Sequence, residues 1–291
     1  MGSSKILIVG VKIRHFFLIL SLNFEFMLVK DILNCITEIA PLQWQESYDN
    51  AGLQVGNLNA EARKALVCLD ITEEVVDEAI AKNSDLIISH HPLIFRGLKH
   101  LTPETYIERA VMKAVKHDIA MISMHTNLDN SYLGVSRVLA ERLGLKDLHL
   151  LQPSEAAPDI CGSGMIGTFD NPMDETDFLG LVAEIIGSPC LRHSALIGRQ
   201  IQKVALCGGS GTPFMTDAIR QKADAYLTAD IKYHDFFVPE GNILLVDGGH
   251  FETEQFTKEL IVELIRKKFP PFAAEIAETK TNSVHYFVRN K

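Results

Sequence analysis

Apolar positions after Met27 first follow a helical rhythm and then break into short runs. Val29, Ile32, Leu33, Ile36 and Ile39 recur at spacings of three and four, which places them on one face of an amphipathic helix. From Lys64 the texture changes. Residues 65–69, 86–89, 119–124 and 242–246 are short runs rich in aliphatic side chains, and each reads as a buried strand. Helical stretches accompany them: one opens at Thr72, a natural N-cap with Glu73 and Glu74 behind it, and others cover about 104–116, 134–143 and 254–268. This alternation predicts an α/β fold with a mainly parallel sheet, to which all four strands are expected to belong.

Residues 151–228 look different, opening with Pro153, Pro158 and Gly162 and carrying strand and helix signals of their own. The expected organisation is therefore two α/β domains. The first is discontinuous, from residues 27–150 and 229–291, and the second, smaller one (151–228) is inserted between its halves. Residues 1–26 hold Lys5, Lys12 and Arg14 ahead of an apolar run at 16–20, too short for the roughly 20 apolar residues of a membrane span and without a small-x-small cleavage pattern. They read as an N-terminal extension or tail.

Composition narrows the classes of function. With 47% hydrophobic and 22% charged residues the chain is an ordinary globular protein. Its 37 acidic against 28 basic residues leave a net charge of −9, which opposes attraction to phosphate backbones and sets nucleic acid aside as a partner. No segment calls for a membrane. The five cysteines are odd in number and lack any C-x-x-C pair, which excludes a disulfide framework and a thiolate metal cage and fits a reducing cytoplasm.

Three polar clusters stand at predicted strand ends: Ser89-His90-His91-Pro92, His125-Thr126-Asn127-Leu128-Asp129, and Asp247 through Glu254. The carboxyl edge of an open parallel sheet is where ligands bind. His and carboxylate without thiol are ligands of catalytic Zn, Fe, Mn, Co or Ni. Pro92 biases His91 to an extended backbone, so the neighbouring His90 and His91 point to opposite sides and, if both ligate, each serves a different ion. Glu254 follows His250 by four residues, which puts both on one helix face, and both Asp129 and Glu254 are able to bridge. The candidate set His90, His91, Asp129, His250 and Glu254 exceeds the three protein ligands usual for one catalytic ion, and two divalent ions per chain are the economical reading.

The strings SHHPLIFRGLK (89–99), HTNLD (125–129), GHFETE (249–254), DNAGLQVG (49–56) and ADIKYHD (229–235) resemble the motifs of the NGG-interacting-factor-three-like family, whose members are called GTP cyclohydrolase I type 2 homologues. The likeness runs from about Met27 to the C-terminus, in the short form without a large inserted domain. It implies two α/β domains, a toroidal homohexamer and a dinuclear centre facing the inner cavity, with the same five residues as ligands. His125 matches its motif as an acid/base residue rather than a ligand. Ala229 stands where the family usually has Gly, and residues 1–26 have no counterpart.

The function expected is that of a metal-dependent hydrolase acting on a purine nucleotide or related small molecule, with His125 or His234 as proton shuttle. For GTP, water would attack C8 of guanine and formate would leave. The alternative is metal-ion storage or delivery, or cofactor assembly, on the same ligands without turnover. Lys232, His234 and Asp235 follow a predicted strand at 225–228 and are expected near the cavity. Gly162 through Gly167 match G-x-G-x-x-G but follow no strand, so no dinucleotide site is expected there. Cys207 through Pro213 do follow a strand, and their glycine-rich turn either binds an anion on its backbone N–H groups or is a plain connection. His100, His149 and His193 read as surface or satisfied histidines, and Cys68 and Cys207 as core.

Overall fold

The computed structural model describes residues 26–287. Expectations for residues 1–26 fall, apart from Phe26, outside that range. The structure is α/β with two main sheets. The first runs in the order Ala273–Ile276, Lys64–Cys68, Leu86–Ser89, Ala120–Ser123 and Gly52–Val55, with its first four strands parallel and the last antiparallel. Its alternating side chains explain why helices cover both faces. Leu86, Ile88 and Ile122 pack with Val29, Ile32, Ile36, Ile261 and Ile265, while Ile87 and Met121 pack with Val75, Val76 and Val111. The amphipathic Val29–Thr37 and Thr257–Lys268 therefore lie on one side, and Glu73–Ala81 and Tyr106–Lys116 on the other. Thr72 caps its helix as expected, its side chain accepting from the Val75 N–H at 3.3 Å.

The second sheet has six strands in the order Lys146–Pro153, Gly162–Met173, Ile201–Leu206, Ala225–Thr228, Leu244–Asp247 and Arg192–His193. This corrects the topology read from the sequence. The strand at 242–246 does not join the first sheet: Leu244–Asp247 pairs parallel with Ala225–Thr228, residue for residue from Ala225 opposite Leu244. The second sheet thus draws on residues flanking the expected 151–228 segment on both sides. Its three parallel strands are buried, with Leu206, Leu227 and Val246 against Phe178 and Val182 on one face and Ala205, Tyr226 and Leu245 against Met215 on the other. Among the described residues no helix is long and apolar enough to cross a membrane. All five cysteines are free, Cys190 alone of them exposed.

Beyond Ile276 the chain continues as a strap along the first sheet's carboxyl edge. The Ala277 N–H donates to the Val67 carbonyl at 2.8 Å, and Glu78 then receives the Glu278 N–H, the Thr279 N–H and the Thr279 hydroxyl. Burial opposes the charged form of Glu78, yet hydrogen bonds from Lys82, Thr279 and these N–H groups hold it down to about 2 from an ordinary 4.5. A depressed folded-state value means the stabilisation is complete above 4.5 and fades as pH falls toward about 2. The stability difference between wild type and Glu78→Gln is therefore expected to be full near neutrality and to shrink through that window in denaturant titrations. A difference independent of pH would contradict the contact.

Candidate metal centre

The carboxyl edges of the two sheets face each other, and the candidate residues meet between them. His90 and His91 directly follow Leu86–Ser89; His125 and Asp129 follow Ala120–Ser123; His250 and Glu254 lie on the short helix His250–Glu254 after Leu244–Asp247. The convergence is thus across two sheets rather than along one.

Three groups form, each with its ligand atoms within 4.8 Å of one another: His91 with His250 and Glu254, His90 with Asp129 and Glu254, and His90 with His91 and His125. In the first, Glu254 Oε2 lies 2.9 Å from His91 Nε2 and 3.0 Å from His250 Nε2, and the two ring nitrogens are 3.2 Å apart. In the second, His90 Nε2 lies 3.5 Å from Asp129 Oδ1 and 3.7 Å from Glu254 Oε1. Glu254 therefore offers a different oxygen to each of these two groups.

Every histidine is held at its far nitrogen. Nδ1–H of His91 donates to Asp70 at 2.7 Å, that of His250 to Asp230 at 2.7 Å, that of His125 to Asp49 at 2.7 Å, and that of His90 to the Met124 carbonyl at 2.8 Å. These acceptors fix the tautomer, so all four Nε2 atoms turn toward the centre. His90 is fully buried, yet its Nε2 and Asp129 Oδ1 have no hydrogen-bond partner. Buried polar atoms left without partners cost about 1–3 kcal/mol each, so such a pair facing each other calls for something between them. Ligand bonds of about 2.0–2.2 Å in a tetrahedron put neighbouring donor atoms roughly 3.3–3.6 Å apart, close to the spacings found here. The donor set fits a divalent ion in each of the two groups sharing Glu254.

The electrostatics agree. Burial pushes the Asp129 carboxyl well above the ordinary range, and the charge on Glu254 adds to this. Burial alone would also raise Glu254, but the surrounding His90, His250 and His91 outweigh it and hold the carboxylate ionised. His91 and His250 are pushed up to about 10 and about 11: burial opposes their charge, and the hydrogen bonds to Asp70, Asp230 and Glu254 prevail. Asp49, closed off from solvent, is held to about 2 because its bonds to His125 and Thr126 overcome the burial that opposes its charge. Positive charge is wanted at this point, and an ion held here would supply it in place of the protons.

Two cavities open on the centre. One of about 640 Å³ is lined by His91, Phe95, Arg192 and Tyr286; the other, of about 520 Å³, by Tyr48, Asp129, Ser210 and Glu254. His125 and His250 line both.

A family model described as Duf34/NIF3 (NGG1p interacting factor 3) matches residues 27–283. The chain belongs to this family. Similar NIF3-family proteins include one from Clostridium perfringens, 35% identical over 231 residues that cover 78% of this chain and 87% of the relative, and named GTP cyclohydrolase 1 type 2 homolog. A Campylobacter jejuni protein of the same name is 31% identical and covers 90% of this chain and 100% of its own. Among solved structures, Staphylococcus aureus protein SA1388 superposes with a TM-score of 0.82 at 28% identity, over 90% of this chain and 99% of that one.

Other expectations fare differently. His234 sits on the exposed turn Tyr233–Phe237, its ring against Tyr233 and Phe237, and with Lys232 and Asp235 it lines neither cavity. The turn directs these side chains outward, so no shuttle role for His234 follows; the residue of that segment at the centre is Asp230. The glycine-rich turn does not leave a nest of free N–H groups. Those of Gly208, Gly209 and Gly211 are taken by the hydroxyls of Ser136, Thr253 and Thr228. The turn instead makes room for Glu254: a Cβ on Gly209, whose φ is +63°, would lie 2.0 Å from Glu254 Oε1. Sequence reasoning missed Asp49, Asp70 and Asp230 as holders of the histidines. Asp70 and Asp230 do carry the signal that found the histidines, a polar side chain just past a strand.

Proposed function

We propose that this NIF3-family protein binds two divalent ions, one on His91, His250 and Glu254 and the other on His90, Asp129 and Glu254, and uses them in a hydrolytic reaction. The observation carrying this reading is that the two oxygens of one buried glutamate face two separate donor groups, one of which contains partnerless His90 Nε2 and Asp129 Oδ1. Bound ions supply Lewis acidity and lower the pKa of water toward neutrality. The remaining work belongs to the chain. Asp49 holds the His125 ring so that Nε2 faces both cavities, where it accepts or returns a proton. Phe95 stands 6.1 Å from His125, and exposed Tyr48 6.3 Å from Phe95, forming an apolar shelf suited to a flat heterocycle. The name carried by the relatives makes GTP the first substrate to test, with opening of the guanine ring and release of formate. The second reading, metal storage or delivery, is favoured by one observation: His250 is 37% exposed, which suits an ion that must leave.

Formate release by protein loaded with Zn, Mn, Fe or Co is the expected result, with loss of at least 100-fold in Asp129→Ala and about 100-fold or more in His125→Ala, in line with the usual contribution of general acid–base groups. No turnover of GTP or related nucleotides with any of the four metals would sink the hydrolase and leave delivery.

A further inference from the structure

The strap carries the inference furthest. It offers hydrogen-bond donors in turn to three carboxylates of the body: Thr279 to Glu78, the Thr281 hydroxyl to Asp70 Oδ2 at 3.0 Å, and the Asn282 amide to Glu252 Oε1 at 3.0 Å. The middle contact differs from the others, because the second oxygen of Asp70 is the acceptor of His91 Nδ1–H. A continuous chain of hydrogen bonds thus runs from Thr281 through Asp70 to His91. Thr281, Asn282, Val284 and Tyr286 also form one wall of the 640 Å³ cavity, so the same segment touches both the space above the centre and the support beneath one of its rings.

We propose that Thr281 is a positioning residue for the metal centre: acting through Asp70, it fixes the ring of His91 and so sets how firmly the protein holds the ion bound by His91, His250 and Glu254. This rests on the two-ion reading above. Asp70 has freedom to turn, since its side chain is 36% exposed. With Oδ2 tied to Thr281, Oδ1 stays aligned with Nδ1, the tautomer stays fixed and Nε2 stays directed at the ion. The supports beneath His90 and Asp129 do not include the strap: His90 rests on the Met124 carbonyl. The effect is therefore confined to one of the two ions.

Cobalt(II)-loaded full-length protein, challenged with excess EDTA and followed by the visible cobalt bands, tests this. Wild type releases its two ions in two phases, and the phase missing from His91→Ala marks the ion in question. Thr281→Val keeps the shape and removes the donor. It is expected to speed that phase about tenfold, the lower end of what partners behind a ligand contribute. The other phase stays at the wild-type rate, and Thr281→Ser restores both. Asp70→Asn, which exchanges the carboxylate for an amide, speeds the same phase at least as much. Circular dichroism of each metal-free variant establishes that it folds. Unchanged rates in Thr281→Val and Asp70→Asn, equal acceleration of both phases, or a serine variant that behaves like valine overturns the proposal. Wild-type protein that takes up fewer than two cobalt ions overturns the two-ion reading instead, a failure visible before any variant is compared.

Discussion

Glu254→Ala is expected to empty the centre of both ions at once, from two per chain to near none by elemental analysis after reconstitution. The side chain is 4% exposed and sends Oε2 to His91 and His250 and Oε1 toward His90. Removing it leaves each group two donors, fewer than the three protein ligands typical of a catalytic ion. The loss should exceed the roughly 10–100-fold that partners behind the ligands contribute. His90→Ala and His91→Ala provide the contrast, since each strips one group and is expected to cost one ion. If Glu254→Ala keeps one ion as firmly as wild type, the shared-carboxylate geometry is wrong.

Gly209→Ala should be nearly as damaging, although glycine carries no chemistry. The backbone there is pinned by N–H donation to the Thr253 hydroxyl at 3.0 Å and by its carbonyl, which accepts from Ala229 N–H at 2.8 Å and the Thr228 hydroxyl at 2.9 Å. A methyl group placed 2.0 Å from Glu254 Oε1 meets a buried carboxylate that has nowhere to retreat. The positive φ adds strain for any residue with a Cβ. Together these are expected to cost about 1–3 kcal/mol of stability and at least one ion. Denaturant unfolding and metal analysis check both parts, and a variant with wild-type metal content would show that Glu254 has room the structure denies it.

The local chemistry was legible in the sequence to the extent that spacing fixes geometry. A four-residue step on a helix must bring His250 and Glu254 together, and their atoms lie 3.0 Å apart. The divergence expected of His90 and His91 is only partial: His91 alone joins His250 and His90 alone joins Asp129 around Glu254, yet the two rings stand 4.8 Å apart and share a third group with His125. Sheet membership was not legible. Leu244, Leu245 and Val246 are fully buried and aliphatic, and such a run fits the middle of either sheet equally well. Pairing with Ala225–Thr228 is decided by contacts that only the folded chain makes. The same holds for the strap: Thr279, Thr281 and Asn282 form no hydrophobic period, and their partners lie up to 211 residues away for Thr281 and Asp70. His234 shows the opposite case: its place just after the strand at 225–228 suggested the cavity, and the exposed turn keeps it off both cavity walls.

Because one sheet brings His90, His91 and Asp129 while the other brings His250 and Glu254, the ions would stand at a seam. Occupancy and the mutual placement of the two halves then become reciprocal quantities. Whatever tightens the grip on the ions would also hold the two sheets together, and any partner or substrate that pries them apart would loosen the grip by the same free energy. In a protein arranged in this way, metal affinity would report how closely the two sheets meet.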